Sequence, residues 1–137
     1  MYELTLNKRC NAPVARVFAA WSTADMIKSW FGPGTVVVTE AQVDFRVGGL
    51  YRLVMRHDDG ATHIVYGTYR QIVPNERLRF SWQWEGSEAV TEVELTFRAA
   101  DQQTDLTLVH RELPTEESRD KHNEGWQGCL VKLAVFE

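Results

Sequence analysis

At 137 residues, 44% apolar and 25% charged, the chain is long enough for one domain spanning residues 1–137, with a core that needs no metal or disulfide to close it. Its net charge of −4, from 15 Lys and Arg against 19 Asp and Glu, leaves no basic excess for phosphate-backbone binding, so no nucleic-acid partner is expected. No stretch approaches the roughly 20 apolar residues of a membrane-spanning helix and Met1 to Arg9 has no apolar leader, so a cytoplasmic protein is expected.

Residues 3–10 alternate, with Leu4, Leu6 and Cys10 on one side and Glu3, Thr5, Asn7 and Arg9 on the other, which predicts a half-buried strand. Lys8 interrupts the apolar side and marks an open end. Asn11-Ala12-Pro13 then starts a helix, because the missing proline N–H is no loss in a first turn. Val14, Val17, Phe18 and Trp21 fall at helical spacing. Ser22 or Thr23 can cap a second short helix with Asp25 in its first turn and Met26, Ile27, Trp30 and Phe31 as its apolar face. Gly32-Pro33-Gly34 ends it.

From residue 35 to 111 the pattern is all strand. Thr35–Asp44 is β-branched, and Gly48-Gly49 turns. Tyr51, Leu53, Met55 and His57 then alternate with Leu50, Arg52, Val54 and Arg56. Asp58-Asp59-Gly60 is a hairpin signal, followed by a strand over His63–Val73. After Pro74-Asn75-Glu76, Leu78, Phe80, Trp82 and Trp84 alternate with Arg77, Arg79, Ser81 and Gln83. Glu85-Gly86-Ser87 turns again. Val93, Leu95 and Phe97 oppose Glu92, Glu94, Thr96 and Arg98; beyond a turn at 101–104, Leu106, Leu108 and His110 oppose Thr107, Val109 and Arg111. The segment 115–136 predicts a long helix capped at Thr115, with an inner stripe of His122, Trp126, Cys129, Leu130 and Leu133.

The order is strand, two helices, six strands, helix. Short strands joined by tight turns imply an antiparallel meander, and one long amphipathic helix must cover its apolar face. Cys10 and Cys129 belong to no paired motif and read as small buried residues of a reducing compartment. No spacing matches a zinc set, and Gly48-Gly49 lacks the spacing of a phosphate loop, so neither metal nor cofactor is expected. Glu92 and Glu94 share an outward face and read as solvated. Cys129 has no activating base, since His122 lies two helical turns away, about 10 Å.

Particular runs carry a family resemblance. Asn11-Ala12-Pro13-Val14 through Val17-Phe18 and Trp21, then Trp30-Phe31-Gly32-Pro33, resemble the opening of the SRPBCC (START-like) superfamily. Asp44-Phe45-Arg46-Val47-Gly48-Gly49-Leu50-Tyr51-Arg52, Gly67-Thr68-Tyr69 to Val73-Pro74, Arg77-Leu78-Arg79-Phe80, and His122 with Gly125-Trp126 and Leu130 resemble its branch homologous to the C-terminal domain of the heat shock protein 90 ATPase activator. The resemblance implies an α+β helix-grip fold, as in birch pollen allergen: a curved antiparallel sheet around a long C-terminal helix, with two short helices after the first strand. It also implies a cavity between sheet and helix. Members include lipid-transfer START domains, chaperone-activator domains, proteins that sequester an antibiotic, and polyketide cyclases, with no shared catalytic triad.

On this reading the inward side chains become pocket walls. The candidates are Tyr51, Leu53, Met55, Tyr69, Phe80, Trp82, Trp84, Leu95, Leu108 and His110 from the sheet and His122, Trp126 and Leu130 from the helix. Tyr51, Tyr69, His110 and His122 would orient a ligand by hydrogen bonding. Three functions compete. Binding of a small apolar or aromatic molecule ranks first, a chaperone ATPase partner second, and a polyketide cyclase or hydrolase-like enzyme using an inward His or acid, with His110 and His122 to be tested, third. No catalytic residue is assigned.

Overall fold

The computed structural model describes residues 1–137. The elements are β1 (Tyr2–Cys10), α1 (Val14–Ala19), α2 (Ala24–Trp30), β2 (Val37–Val43), β3 (Leu50–Arg56), β4 (Thr62–Val73), β5 (Arg77–Trp84), β6 (Thr91–Ala100), β7 (Gln103–Leu113), α3 (Glu116–Leu130) and a terminal 3-10 helix (Val131–Phe136). All seven strands join one antiparallel sheet in the order β1-β7-β6-β5-β4-β3-β2. Thus β2 through β7 form a meander and β1 returns to pair with β7, Leu4 opposite His110 and Leu6 opposite Leu108. The architecture is the expected α+β helix-grip fold.

Period-two alternation sets the sheet's faces. Val93, Leu95 and Phe97 of β6 and Leu106, Leu108 and His110 of β7 are buried, while their neighbours Glu94 and Val109 are only half-buried. On the outer face, Glu92 and Glu94 are less solvated than expected. Each lies between two arginines, Glu92 with Arg70 and Arg79, Glu94 with Arg77 and Arg111.

The sheet curves because its pairing breaks at defined points. Register shifts occur in β1, β2 and β4, and each adds local twist. One adaptation within the strands is at Gly67, where a Cβ would lie 2.1 Å from the Ser81 carbonyl oxygen. Side chains replace the missing ladder bonds there. The Tyr51 hydroxyl donates to the Ser81 carbonyl, and the Thr68 amide donates to the Ser81 hydroxyl at 2.9 Å. That explains why Ser81 is buried on an otherwise apolar strand: interior backbone groups need partners.

The helices start where their caps are. The Thr23 hydroxyl, not Ser22, accepts the Met26 amide at 3.1 Å, and the Thr115 hydroxyl accepts the Ser118 amide at 3.0 Å. The expected helix over 115–136 is divided, because α-helical bonding stops at Leu130 and the last six residues tighten to 3-10 geometry. An uncapped helix end satisfies its carbonyls by shorter-range bonds, as where Ala134 accepts the Glu137 amide at 3.0 Å. The tightened end buries Leu133 and leaves Val131 and Val135 in solvent.

Thirty buried apolar residues form one contiguous core between the sheet's concave face and the helices. All five tryptophans join one aromatic cluster: Trp21 packs on Trp30 at 4.8 Å between ring centroids and on Trp126 at 6.4 Å, and Trp82 packs on Trp126 at 5.0 Å and Trp84 at 5.4 Å. Cys10 and Cys129 are buried and unbridged. No helix is long and apolar enough to cross a membrane.

Candidate functional site

The core is not filled throughout. A half-open cavity of about 380 Å³ lies at one end of the groove, between α3, the end of the β3–β4 hairpin, and the segment joining α2 to β2. Its walls are Phe31, Pro33 and Val36 from that segment, Met55, His57 and His63 from the hairpin, and Trp82 and Trp84 from β5. Lys121, His122, Gly125, Trp126 and Cys129 complete it from α3.

The joining segment is pinned at three points, two on α3 and one on the terminal 3-10 helix. Gly128 lets Pro33 approach, since a Cβ there would lie 3.3 Å from the proline side chain. The Gly32 amide donates to the Cys129 sulfur at 3.5 Å, and Lys132 Nζ donates to the Val36 carbonyl at 3.2 Å. Gly125, one turn earlier, is different. A Cβ built there meets nothing within 4 Å, so the residue borders open space that the missing side chain leaves free.

Two histidines near the cavity are engaged by the protein itself. Trp126 Nε1 donates to His110 Nδ1 at 3.0 Å, and His110 Nε2 contacts the Thr91 hydroxyl at 2.7 Å. That hydroxyl donates to the Trp82 carbonyl at 3.0 Å. A hydroxyl has one proton, so the ring must donate to it. His110 is therefore the neutral Nε2–H tautomer, a closed relay with no vacant donor. Burial drives its pKa down from 6.5 to about 3, and His122 adds to the shift. His122 is the other tautomer. Its Nε2 accepts the Trp84 indole N–H at 3.0 Å and its Nδ1–H donates to the Ser118 carbonyl at 2.7 Å. Burial lowers its pKa, and the Ser118 bond opposes that shift.

The expected wall residues fall into three groups. Met55, Trp82, Trp84, His122 and Trp126 line the cavity. Tyr51, Leu53, Tyr69 and Phe80 lie farther along the groove around a separate void of only about 20 Å³, too small for an organic ligand. Leu95, Leu108, His110 and Leu130 line neither space and are packed core. The polar groups expected to orient a ligand are also reassigned. Tyr51 is committed to Ser81, burial pushes both tyrosine hydroxyls up, and His110 faces its own relay.

Several wall residues were outside the expected set. Lys121 and Gly125 continue the helical stripe of His122, which a wider stripe on α3 would have included. His63 follows from its pairing with Met55 across the hairpin. Phe31 reads as the last apolar position of the second helix, while Pro33 and Val36 have no periodic signal, because a loop's path is set by what it docks on.

The cavity can desolvate and enclose an apolar body. Its means for acid–base chemistry are few. No Asp or Glu is in its wall, and burial pushes the Cys129 thiol up to about 12, far from a thiolate at neutral pH.

Known proteins share this architecture. The family model described as Activator of Hsp90 ATPase homolog 1-like protein matches residues 11–136. A protein of Chromobacterium violaceum is 26% identical, with 97% of this chain and 94% of that chain covered and a TM-score of 0.89. The AHSA1 protein of Silicibacter pomeroyi is 28% identical over 98% of this chain and 96% of that chain, TM-score 0.88. CalU16 of Micromonospora echinospora is 28% identical over 98% of this chain and 74% of that chain, TM-score 0.76. No curated protein matches the chain in sequence.

Proposed function

The chain belongs to the Activator of Hsp90 ATPase homolog 1-like family, and from that premise we propose that it binds a small apolar or aromatic molecule in the cavity beside α3, as a carrier or sequestering protein. One observation carries the reading: an aromatic-walled cavity of about 380 Å³ whose floor is a helix-interior glycine with no packing need to be glycine. A cavity of roughly 300–1,000 Å³ lined mainly by apolar side chains suits a drug-sized ligand. Glycine inside a helix costs about 1 kcal/mol relative to alanine, and at residue 125 the space left by the absent side chain is cavity volume. A cytoplasmic location fits two unbridged buried thiols.

The test is titration with N-phenyl-1-naphthylamine, a neutral fluorophore that brightens in apolar surroundings. The wild-type chain should give saturable enhancement and quenching of its tryptophans. Gly125→Leu should abolish both while remaining folded by circular dichroism. Native mass spectrometry of protein purified without denaturant should also detect a co-purified small molecule. No saturable binding by the wild type, or full binding by Gly125→Leu, removes this reading.

The family's description raises a chaperone ATPase as partner. That role needs an outer surface, and the exposed Val37, Val131 and Val135 border a shallow groove between α2, β2 and the terminal 3-10 helix. Failure to retain or stimulate a purified Hsp90-type ATPase would remove this second reading.

A further inference from the structure

The cavity's polar groups are one-sided. They are His57, His63, Lys121 and His122, with no carboxylate among the wall residues. Inside, the indole N–H groups of Trp84 and Trp126 are spent on His122 and His110, both nitrogens of His122 are spent on Trp84 and Ser118, and the Trp82 N–H, which has no partner, is buried out of reach of the cavity surface. An interior that exposes no free donor penalises a ligand's polar groups, because each arrives stripped of water and finds no partner.

The mouth differs. His57 and His63 face each other across the β3–β4 hairpin, ring centroids 4.7 Å apart and planes at 56°, and neither ring is hydrogen-bonded within the protein. His63 is exposed and His57 half-buried. Lys121 enters from α3. Its ammonium lies 3.0 Å from Glu117, but the two side chains are 74% and 77% exposed, and such solvent-facing pairs hold weakly. The nearest acids on the hairpin are Asp58 and Asp59 in its turn; Asp59 is occupied with the Ala61 amide at 2.9 Å, and neither lines the cavity.

We infer that the ligand is amphipathic and anionic: a ring-containing apolar body lies over Gly125 among Trp82, Trp84 and Trp126, and one carboxylate or similar acid group is held at the mouth by His57, His63 and Lys121. This rests on the reading of the cavity as a ligand site and adds the ligand's charge and direction of entry. The physical reason is a division of labour along the cavity. Apolar surface is desolvated where no free donor is accessible, and charge stays at the wet end, where charge-assisted hydrogen bonds are available.

The experiment uses the full chain with N-phenyl-1-naphthylamine bound as neutral reporter. Two competitors of nearly equal shape displace it: 2-naphthoate, which is anionic, and 2-naphthylmethanol, which is neutral. Wild type should favour the acid by roughly tenfold, the strength of one hydrogen bond to a charged group. The preference should shrink with added salt. It should vanish in the His57→Gln, His63→Gln, Lys121→Gln triple variant, in which acid and alcohol should compete equally. Since His63 and Lys121 are exposed, the single variants H63Q and K121Q keep the test open if the triple variant misfolds, and each should lose part of the preference. Equal competition by acid and alcohol in the wild type overturns the anionic assignment and leaves the cavity reading standing. So does an acid preference that survives the substitutions. Failure of the reporter itself to bind overturns both.

Discussion

Acid should destabilise this protein through His110. The imidazole is fully buried, with both nitrogens inside the Trp126–His110–Thr91–Trp82 relay, and its pKa is about 3 against 6.5 for the free group. Below pH 6.5 the unfolded chain takes up this proton, while the folded chain refuses it until about pH 3. The unfolded state therefore binds more protons across that window. The stability contributed is complete above 6.5 and is lost progressively as pH falls toward 3. Each unit of the window removes about 1.4 kcal/mol, so lowering the pH from 6.5 to about 4 removes about 3 kcal/mol. Against a typical domain stability of about 5–15 kcal/mol, that loss is large. The lowered pKa of His122 acts in the same direction. The assay is urea unfolding at a series of pH values for wild type and His110→Gln, which does not titrate. The variant should be less stable at neutral pH, with a shallower pH dependence by about 1.4 kcal/mol per unit between pH 4 and 6. Parallel curves for the two proteins would refute the argument, as would imidazole nitrogen shifts showing His110 protonated in the folded state at pH 5.

Other consequences follow from the same contacts. Gly125→Ala should raise unfolding stability by about 1 kcal/mol, since a Cβ there meets nothing within 4 Å. Gly128→Ala should gain less or lose stability, since its Cβ would press on Pro33 at 3.3 Å, and a loss at both positions would contradict the open space at residue 125. Thr91→Val should cost about 1–3 kcal/mol in urea unfolding by orphaning the His110 N–H, whereas Thr91→Ser, which keeps the hydroxyl, should restore most of it. Cys10 and Cys129 are buried and burial raises both thiol pKa values, so Ellman's reagent should label them only as the chain unfolds. Rapid labelling of the folded protein would show an opening absent from this structure.

The sequence by itself determined the order of elements, the inward face of the alternating strands, and the Thr115 cap. These are local properties: side chains on a strand alternate with period two, and Thr115 caps because its own hydroxyl reaches three residues ahead. The resemblance carried by the runs around Gly48-Gly49 and Gly125-Trp126 added the helix-grip arrangement. Tertiary structure decided where the groove is empty. Alternation places Leu95, Leu108, Trp82 and Trp84 on the same inward face, but it cannot tell packed core from cavity wall, because that depends on what arrives from across the groove. Leu95 and Leu108 meet packed core, while Trp82 and Trp84 meet the gap over Gly125. The histidines divide for the same reason. His110 and His122 both read as inward ligand-orienting groups, yet the former is sealed by Trp126 and Thr91, while the latter borders the opening. The mouth at His57, His63 and Lys121 joins a hairpin to a helix nearly sixty residues later in the chain, and no local pattern encodes that meeting.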